Sequence, residues 1–357
     1  MKKPAIIIGL DIGSSKISGV AAEAGEDGLF TIVAHASYPS GGVSRGAIVN
    51  LDEAVDAVSR VLSKLSAGTP APRRGDVYVT ISGQSLKGER SRGMVPLSLR
   101  GREVVKGDME RCVNAASTIR LSFDREIVHK IVQDFSIDDQ PWIKNPLGLY
   151  ASRLACEIYV ITANVNHIQS IYKCVNNAGY DVKEVVFTGI ADGEALLDTG
   201  QKEEGSLLLG MGASLTEISV FSGGILKEID VAGIGSADFR GELKDLKEFN
   251  DIVSRVKGKI DEFSKRGEDI RSVILTGGMA FVDGAAELLE ERLAVPVKVA
   301  TVRDVRGNIS SMESMKVSTA IGAVKYACAK LRKKTVEEGS LARRLSDKVV
   351  DIFNNYF

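Results

Sequence analysis

The sequence predicts an α/β fold with two similar lobes, because one strand–turn–strand pattern occurs twice. The first copy covers residues 8–20 and consists of an apolar strand, a turn around Gly13 and a second apolar strand. The second copy covers residues 206–221 and has Gly212 at the position of Gly13. Copies this far apart are too widely spaced for a stacked repeat, so they favour two lobes that face a cleft.

The turn of the first copy has the residue types of a phosphate-binding loop. Gly13 lets a ligand approach the backbone closely, and Ser14 and Ser15 can donate to phosphate oxygens. Lys16 adds a point charge for a phosphate, and Asp11 at the strand end is suited to holding magnesium through water. Taken alone, the stretch favours a β-hairpin with an Asx-type turn, and only the second copy makes the phosphate loop the better interpretation.

The two copies differ in one charged residue, since the second has Gly210 where the first has Asp11. Only the first lobe is therefore predicted to supply a carboxylate on the metal side. A third turn, at Gly277 and Gly278, lies between a strand at 272–275 and a helix. Its glycines allow a nucleotide base or ribose to approach, although a strand–helix turn that needs small residues explains them equally well.

The composition is that of an ordinary globular protein, with 44% apolar residues, 26% charged residues and a formal net charge of -1. The 357 residues suffice for about two domains, and the low net charge gives no electrostatic footprint for nucleic acid. Four cysteines and three histidines lie scattered without metal-ligand spacing. No stretch approaches the roughly 20 apolar residues that span a bilayer. We therefore expect reduced cysteines and a cytoplasmic location for the body of the protein.

Changes in the pattern of apolar and polar residues along the chain predict the order of its domains. A segment with several arginines and the single tryptophan interrupts the first lobe, between strands at 77–82 and 156–162. Taken alone, the arginines favour a solvated hairpin, and the position favours an inserted subdomain that serves as an interaction surface. The predicted parts are the start of the first lobe (1–83), the insertion (84–155), the rest of the first lobe (156–199), the second lobe (200–331), a linker (332–340) and a terminal helix (341–357).

The last residues have the pattern of an amphipathic helix that lies on a membrane. Apolar residues recur there at helical spacing, namely Leu341, Leu345, Val349, Ile352, Phe353, Tyr356 and Phe357. The basic residues Arg343, Arg344 and Lys348 lie off that apolar stripe. Such a helix binds an anionic membrane surface reversibly. The rival interpretation is a tail that docks onto its own second lobe.

Together these features resemble the actin-like ATPase superfamily and, within it, the FtsA family of bacterial cell-division proteins. The general signals are the loops at 11–16 and 210–216, the turn at 275–280 and the helix at 318–327. The signals specific to FtsA are the segments 46–49, 77–83 and 145–154. The resemblance covers nearly the whole chain. It implies a two-lobed actin-like (ribonuclease H-like) α/β fold with an FtsA-type inserted subdomain and a C-terminal amphipathic helix.

The resemblance also implies ATP and magnesium as cofactors and division proteins, including the tubulin FtsZ, as partners. The residues that would bind the nucleotide are Asp11, Gly13, Ser14, Ser15, Lys16, Gly212, Gly277 and Gly278, with Asp11 on the metal side. In the family the second loop carries an aspartate and two threonines, where this chain has Gly210 and Leu215–Thr216. The family's outer subdomain of the second lobe is reduced here to residues 236–245. These departures predict a degenerate ATP site and at most a weak ATPase.

The favoured function is a scaffold or tether in bacterial cell division, peripheral on the inner face of the cell membrane and able to self-associate. One alternative is a working actin-like ATPase that polymerises in a nucleotide-dependent way, supported by Asp11, Ser14 and Lys16. Another is an actin-like adaptor of pilus assembly. The segment 145–154 favours division over pili.

Overall fold

The computed structural model describes residues 5–25, 29–67, 77–138 and 140–340. Its strands are β1 (Ala5–Ile12), β2 (Lys16–Ala24), β3 (Phe30–Pro39), β4 (Val43–Ser44), β5 (Ala47–Ile48), β6 (Val77–Ile81), β7 (Lys87–Pro96), β8 (Arg102–Glu103), β9 (Arg125–Ile137), β10 (Gln140–Ile143), β11 (Tyr150–Ala151), β12 (Arg153–Asn164), β13 (Val182–Phe187), β14 (Ser206–Met211), β15 (Thr216–Ser222), β16 (Ile225–Ala232), β17 (Ser272–Gly277), β18 (Val297–Val299) and β19 (Arg306–Gly307). Its α-helices are α1 (Leu51–Ser66), α2 (Lys106–Ala116), α3 (Val165–Asn177), α4 (Thr188–Leu196), α5 (Thr199–Glu204), α6 (Lys247–Lys265), α7 (Ala285–Leu293), α8 (Ser311–Lys316) and α9 (Ser318–Ser340).

The chain divides into two compact units. Residues up to Leu86 and Val165–Cys328 form the first unit, which contains two sheets. One sheet has the strand order β13-β6-β1-β2-β3-β19, and the other has the order β16-β15-β14-β17-β18. Both sheets are built around an antiparallel three-strand meander whose first strand also pairs with a parallel strand. The predicted duplication of the strand–turn–strand pattern is therefore present in the fold.

The first sheet is covered on both faces, which explains why β1 is apolar at nearly every position rather than at alternate ones. On one face, a Cβ on Gly19 of β2 would lie 2.9 Å from Val61 and Leu65 of α1. On the other face, α9 contributes Ala320 and Val324 to a core shared with β1 and β2. Strands that are buried on both sides need no polar alternation, so their sequences read as continuous apolar runs.

Small residues let α9 approach its neighbours closely. A Cβ added to Gly9 of β1 would lie 2.0 Å from the carbonyl oxygen of Ala320. A Cβ added to Gly322 would lie 1.9 Å from the carbonyl oxygen of Ala191 in α4. Only glycine fits at either position without a shift of backbone. The small-residue face that the sequence shows at 318–327 is thus a packing surface.

The second sheet packs against α6 and α7 through a core that includes Phe249, Val256 and Leu289. Residues 233–246, which connect β16 to α6, are all described and contain two short 3-10 helices, Ser236–Asp238 and Leu243–Asp245, with no strand or α-helix. The connection is therefore short and runs directly from the sheet to the helix that covers it.

Lys87–Asn164 form the body of the second unit. Its sheet has the order β10-β9-β12-β7, and α2 packs on that sheet over a hydrophobic core of its own, with Met109 and Phe135 among the buried side chains. Asp108 at the start of α2 is buried and accepts hydrogen bonds from Arg102 at 2.6 and 2.7 Å. The Arg102 guanidinium holds the pKa of that carboxyl well below its usual range.

Two predicted boundaries differ from the structure. The sequence assigns 156–162 to the first lobe, but β12 pairs with β7 and β9 along its length and belongs to the second unit. An apolar strand looks the same whichever sheet it joins, because its partners are distant in sequence. The sequence predicts a linker over 332–340, whereas α9 continues to Ser340. Lysine, arginine and glutamate are good helix formers, and no proline interrupts them there.

Candidate functional site

A cavity of about 580 Å³ lies in the first unit, where the turns of the two meanders meet. Its lining includes every residue that the sequence predicts to contact nucleotide, namely Asp11, Gly13, Ser14, Ser15, Lys16, Gly212, Gly277 and Gly278. The structure therefore brings these residues together around one space. Their role in binding stays a prediction.

The first loop is closed by a backbone hydrogen bond from Gly13 N to the Lys16 carbonyl oxygen, at 3.1 Å. The Ser14 hydroxyl accepts from the amide of Gly46, also at 3.1 Å, which ties the loop to the segment before α1. The Lys16 ammonium donates to the carbonyl oxygen of Lys316. Burial lowers the pKa of Lys16, and the nearby Asp11 charge opposes that shift.

The second loop has the same closure, with Gly212 N donating to the Leu215 carbonyl oxygen at 2.9 Å. A Cβ on Gly13 would lie 2.8 Å from the Lys16 carbonyl oxygen, whereas one on Gly212 would lie 3.4 Å from that of Leu215, so glycine is required more strictly in the first turn. The Ser214 hydroxyl is buried and has no hydrogen-bond partner among the described residues. Leu215 is buried, and its Cδ1 would lie 2.9 Å from a Cβ on Gly46, so this side chain packs on the neighbouring loop.

Asp11 lies at the end of β1, and its carboxylate accepts from the Thr80 hydroxyl of β6 at 2.7 Å. Burial raises the pKa of Asp11, while the Thr80 bond and the Lys16 charge lower it. These partners hold the carboxylate in place between two adjacent strands of the first sheet.

Two buried carboxyl groups line the same cavity, and the sequence reasoning missed both of them. Asp192 of α4 accepts from the Thr319 hydroxyl at 2.7 Å, and Glu217 of β15 accepts from the Ser82 hydroxyl at 2.8 Å. The pKa of Asp192 is raised to about 7 and that of Glu217 to about 8, mainly by burial and in part by the charge of Asp11.

Glu217 gives the second lobe a carboxyl group, although the sequence predicts one only in the first lobe. It stands opposite Gly210 in the β14–β15 pairing. The second lobe thus lacks the strand-end carboxylate, as its sequence indicates, yet it supplies a carboxyl group from the adjacent strand. The register of the β14–β15 hairpin is the signal in the sequence that points to Glu217, because it places the residue seven positions after Gly210 directly beside Gly210.

The described residues contain no group of three or more histidine, cysteine, aspartate or glutamate side chains arranged to hold a metal ion. The carboxyl groups of the cavity are instead engaged by hydroxyl donors, as with Thr80 on Asp11 and Ser82 on Glu217. The described residues thus offer no preformed cage of three or more such ligands. Magnesium held by Asp11 through water stays a prediction.

The turn after β17 forms a further part of the cavity wall, next to the second loop. Gly277 has φ 84°, and a Cβ there would lie 2.4 Å from the Met211 carbonyl oxygen, so the turn requires glycine. A 3-10 helix, Gly278–Phe281, follows and places the half-exposed ring of Phe281 on the cavity wall. Lys316 at the end of α8 also lines the cavity, and its side chain is exposed.

Comparison with known proteins identifies the family. Residues 83–162 match the model of the SHS2 domain inserted in FtsA. The cell division protein FtsA of Borreliella burgdorferi is 30% identical over 376 aligned residues, which cover 90% of each protein. This chain belongs to the FtsA family. The FtsA of Pseudomonas aeruginosa is 26% identical over 377 residues, covering 91% of this chain and 90% of that protein.

A likeness to solved structures confirms the predicted fold class. The structure described as "PilM-PilN type IV pilus biogenesis complex" matches with a TM-score of 0.65 and 16% identity, over 92% of this chain and 99% of that one. At this identity the likeness shows the fold alone. With the FtsA relatives, it makes this chain a cell-division actin homologue with an actin-like fold.

The predicted membrane helix lies in the part of the chain that the structure does not describe. Leu341, Arg343, Arg344, Leu345, Lys348, Val349, Ile352, Phe353, Tyr356 and Phe357 lie outside the described residues. Up to residue 340, the described helices include none with both the length and the apolar character needed to cross a bilayer.

Proposed function

We propose that this FtsA-family protein is a scaffold that tethers other division proteins to the inner face of the cell membrane. The observation that carries the proposal is the cleft, which keeps the loops of an actin homologue but has Gly210 in place of a second strand-end carboxylate. Asp11, Asp192 and Glu217 all line the cavity, whereas Lys16 and Lys316 are the lysines that line it. A protein that holds ATP weakly is better suited to binding partners than to nucleotide turnover.

The second loop supports weak ATP binding and negligible hydrolysis. Gly210 offers no side chain, and Leu215 points at the neighbouring loop instead of offering a hydroxyl group. Hydrogen bonds to charged groups contribute about 1.5–3 kcal/mol each, so every lost contact to phosphate lowers the affinity by about tenfold or more. Water-held magnesium at Asp11 would offset part of the repulsion between phosphate and the carboxyl groups.

We propose residues 341–357 as the membrane anchor. Their basic residues are worth about 1 kcal/mol each near an anionic surface, and the apolar stripe adds to this. Because the stripe is short and Asp351 is acidic, single anchors bind weakly. Self-association would strengthen the attachment through avidity. The partners we propose are division proteins, recruited from the cytoplasmic side.

Co-sedimentation with vesicles that contain phosphatidylglycerol tests the tether. The full chain is expected to pellet with the vesicles, and a chain truncated after Gly339 is expected to stay in the supernatant. Phe353→Asp, on the apolar stripe, should abolish pelleting, while Asn354→Asp, with the same added charge off the stripe, should leave most of it. If the full chain does not pellet, or if the truncated chain pellets equally, the tether is refuted.

A further inference from the structure

One end of the sheet in the second unit carries several exposed apolar side chains. At this end Pro96 of β7 pairs with Arg153 of β12, and Ile137 of β9 pairs with the next residue of β12. The loop after β7, the paired strands β8 and β11, and the start of β10 all adjoin it. We call this end the apolar tip, and its exposed apolar residues are Leu99, Val105, Trp142, Leu149 and Tyr150.

The exposure of these side chains is large. Leu99 is fully exposed, Trp142 is 75% exposed and Tyr150 is 76% exposed. A single exposed apolar residue is ordinary in a soluble protein, but several on one end of one unit indicate a surface that binds something. Leu99 protrudes from its loop, so it is available to insert into a partner.

The backbone at Trp142 gives an independent sign of function. Its φ is 63°, in the left-handed region that a bulky side chain rarely adopts. The residue lies where the pairing of β10 with β9 is irregular, between Gln140 and Ile143. Burial of the ring does not offset the strain, because the ring is largely exposed. Strain of this kind is concentrated at sites that serve a function.

Basic residues accompany the apolar ones. The described residues of the tip, 97–106, 138 and 140–153, include five basic side chains and two acidic ones. Arg100 adjoins Leu99, and Lys144 follows two residues after Trp142; both are exposed. The carboxylate of Asp138 accepts from the backbone amides of residues 152 and 153. Aromatic and aliphatic side chains among basic ones suit the interface of an anionic membrane.

We propose that the apolar tip is a second membrane contact, which inserts Leu99 and Trp142 into an anionic lipid surface. The inference rests on the proposed function, because the terminal helix brings the protein to the membrane. The tip by itself binds weakly, and it becomes effective once the first contact raises its concentration near the lipid. A chain truncated after Gly339 is therefore still expected to stay in the supernatant.

The fluorescence of Trp142 tests the contact directly, because the chain has no other tryptophan. The full chain with an added amino-terminal hexahistidine tag is held on vesicles by nickel-chelating lipid, so the measurement does not depend on the terminal helix. With phosphatidylglycerol in the vesicles, the emission should shift to shorter wavelength, and brominated lipid should quench it. With phosphatidylcholine in place of phosphatidylglycerol, both effects should be weaker. Unchanged emission on phosphatidylglycerol would overturn the proposal, and it is the result expected if the tip binds a protein instead.

A pair of variants tests the position of the contact. Leu99→Asp should weaken binding of the untagged full chain to phosphatidylglycerol vesicles about tenfold, since one large apolar side chain no longer inserts. Phe123→Asp is the matched control, because Phe123 is also fully exposed but precedes Arg125, which pairs with Asn164 at the other end of the sheet. Equal weakening by the two substitutions would contradict the proposal. If the untagged chain does not pellet while the tagged chain shows the emission shift, only the tether is refuted.

Discussion

Replacing Asp192 by asparagine should stabilise the protein, and the gain should depend on pH. Asp192 is buried, and among the described residues Thr319 donates a hydrogen bond to it. Asparagine has nearly the same shape and keeps an oxygen that can accept this bond. The substitution therefore removes the ionisable group while leaving the packing and the hydrogen bond in place.

The magnitude follows from the raised pKa. Burial takes the Asp192 carboxyl from a pKa of 3.8 to about 7 in the folded protein, which corresponds to about 4 kcal/mol between its protonation states. Below pH 3.8 the folded and unfolded chains both carry the proton, so the wild type loses no stability there. Between that pH and about 7, only the folded chain holds the proton, and wild-type stability falls as pH rises.

Urea unfolding at pH 4.5, 6 and 8.5 measures the effect. Asp192→Asn should exceed the wild type by only about 1 kcal/mol at pH 4.5 and by up to about 4 kcal/mol at pH 8.5. Asp181→Asn, at an exposed position, should follow the wild type throughout. A gain of equal size at all three pH values would show that the effect is not ionisation, and a loss at pH 8.5 would refute the argument.

Two further predictions concern the cleft and the packing of α9. ATP hydrolysis should be negligible because the second loop lacks the family's aspartate. Asp11→Asn should therefore leave the rate of phosphate release unchanged. A measurable rate that this substitution abolishes would contradict the prediction. Gly322→Ala should lower the free energy of unfolding by about 1–3 kcal/mol, since its Cβ would meet the Ala191 backbone. Gly258→Ala is the control, because a Cβ at that position meets no other atom within 4 Å. This substitution should stabilise α6 by about 0.5–1 kcal/mol. Equal changes in the free energy of unfolding for the two variants would refute the packing argument.

Much of the fold, and the glycine-containing turns of the site, could be derived from local sequence. Glycine at 13 and 212 marks turns whose closure is a contact between near neighbours, Gly13 with Lys16 and Gly212 with Leu215. Such turns are encoded within a few residues and follow apolar strands that are equally easy to recognise. The repeat then implied two sheets with turns facing one cavity, and the structure has this arrangement.

Elements whose partners are distant in sequence could not be assigned in this way. The strand β12 joined the sheet of the inserted unit because of its pairing with β7 and β9. Cys112 of α2 illustrates the same limit, since its thiol donates toward the Leu154 carbonyl oxygen at 3.4 Å although the two residues are far apart in sequence. The hydrophobic pattern shows that a segment is buried, but it does not show which element the segment packs against.

The chemistry of the cleft depended most on tertiary structure. Neither Asp192 nor Glu217 belongs to a recognisable ligand motif, although Glu217 lies within the second copy of the strand–turn–strand pattern. Their importance comes from burial, from the charges of each other and Asp11, and from donors more than a hundred residues away, Thr319 for Asp192 and Ser82 for Glu217. The sequence by itself determined where a phosphate could be held, because a backbone turn is local. Only the tertiary structure decided which charges surround that place, because desolvation and electrostatic coupling act through space.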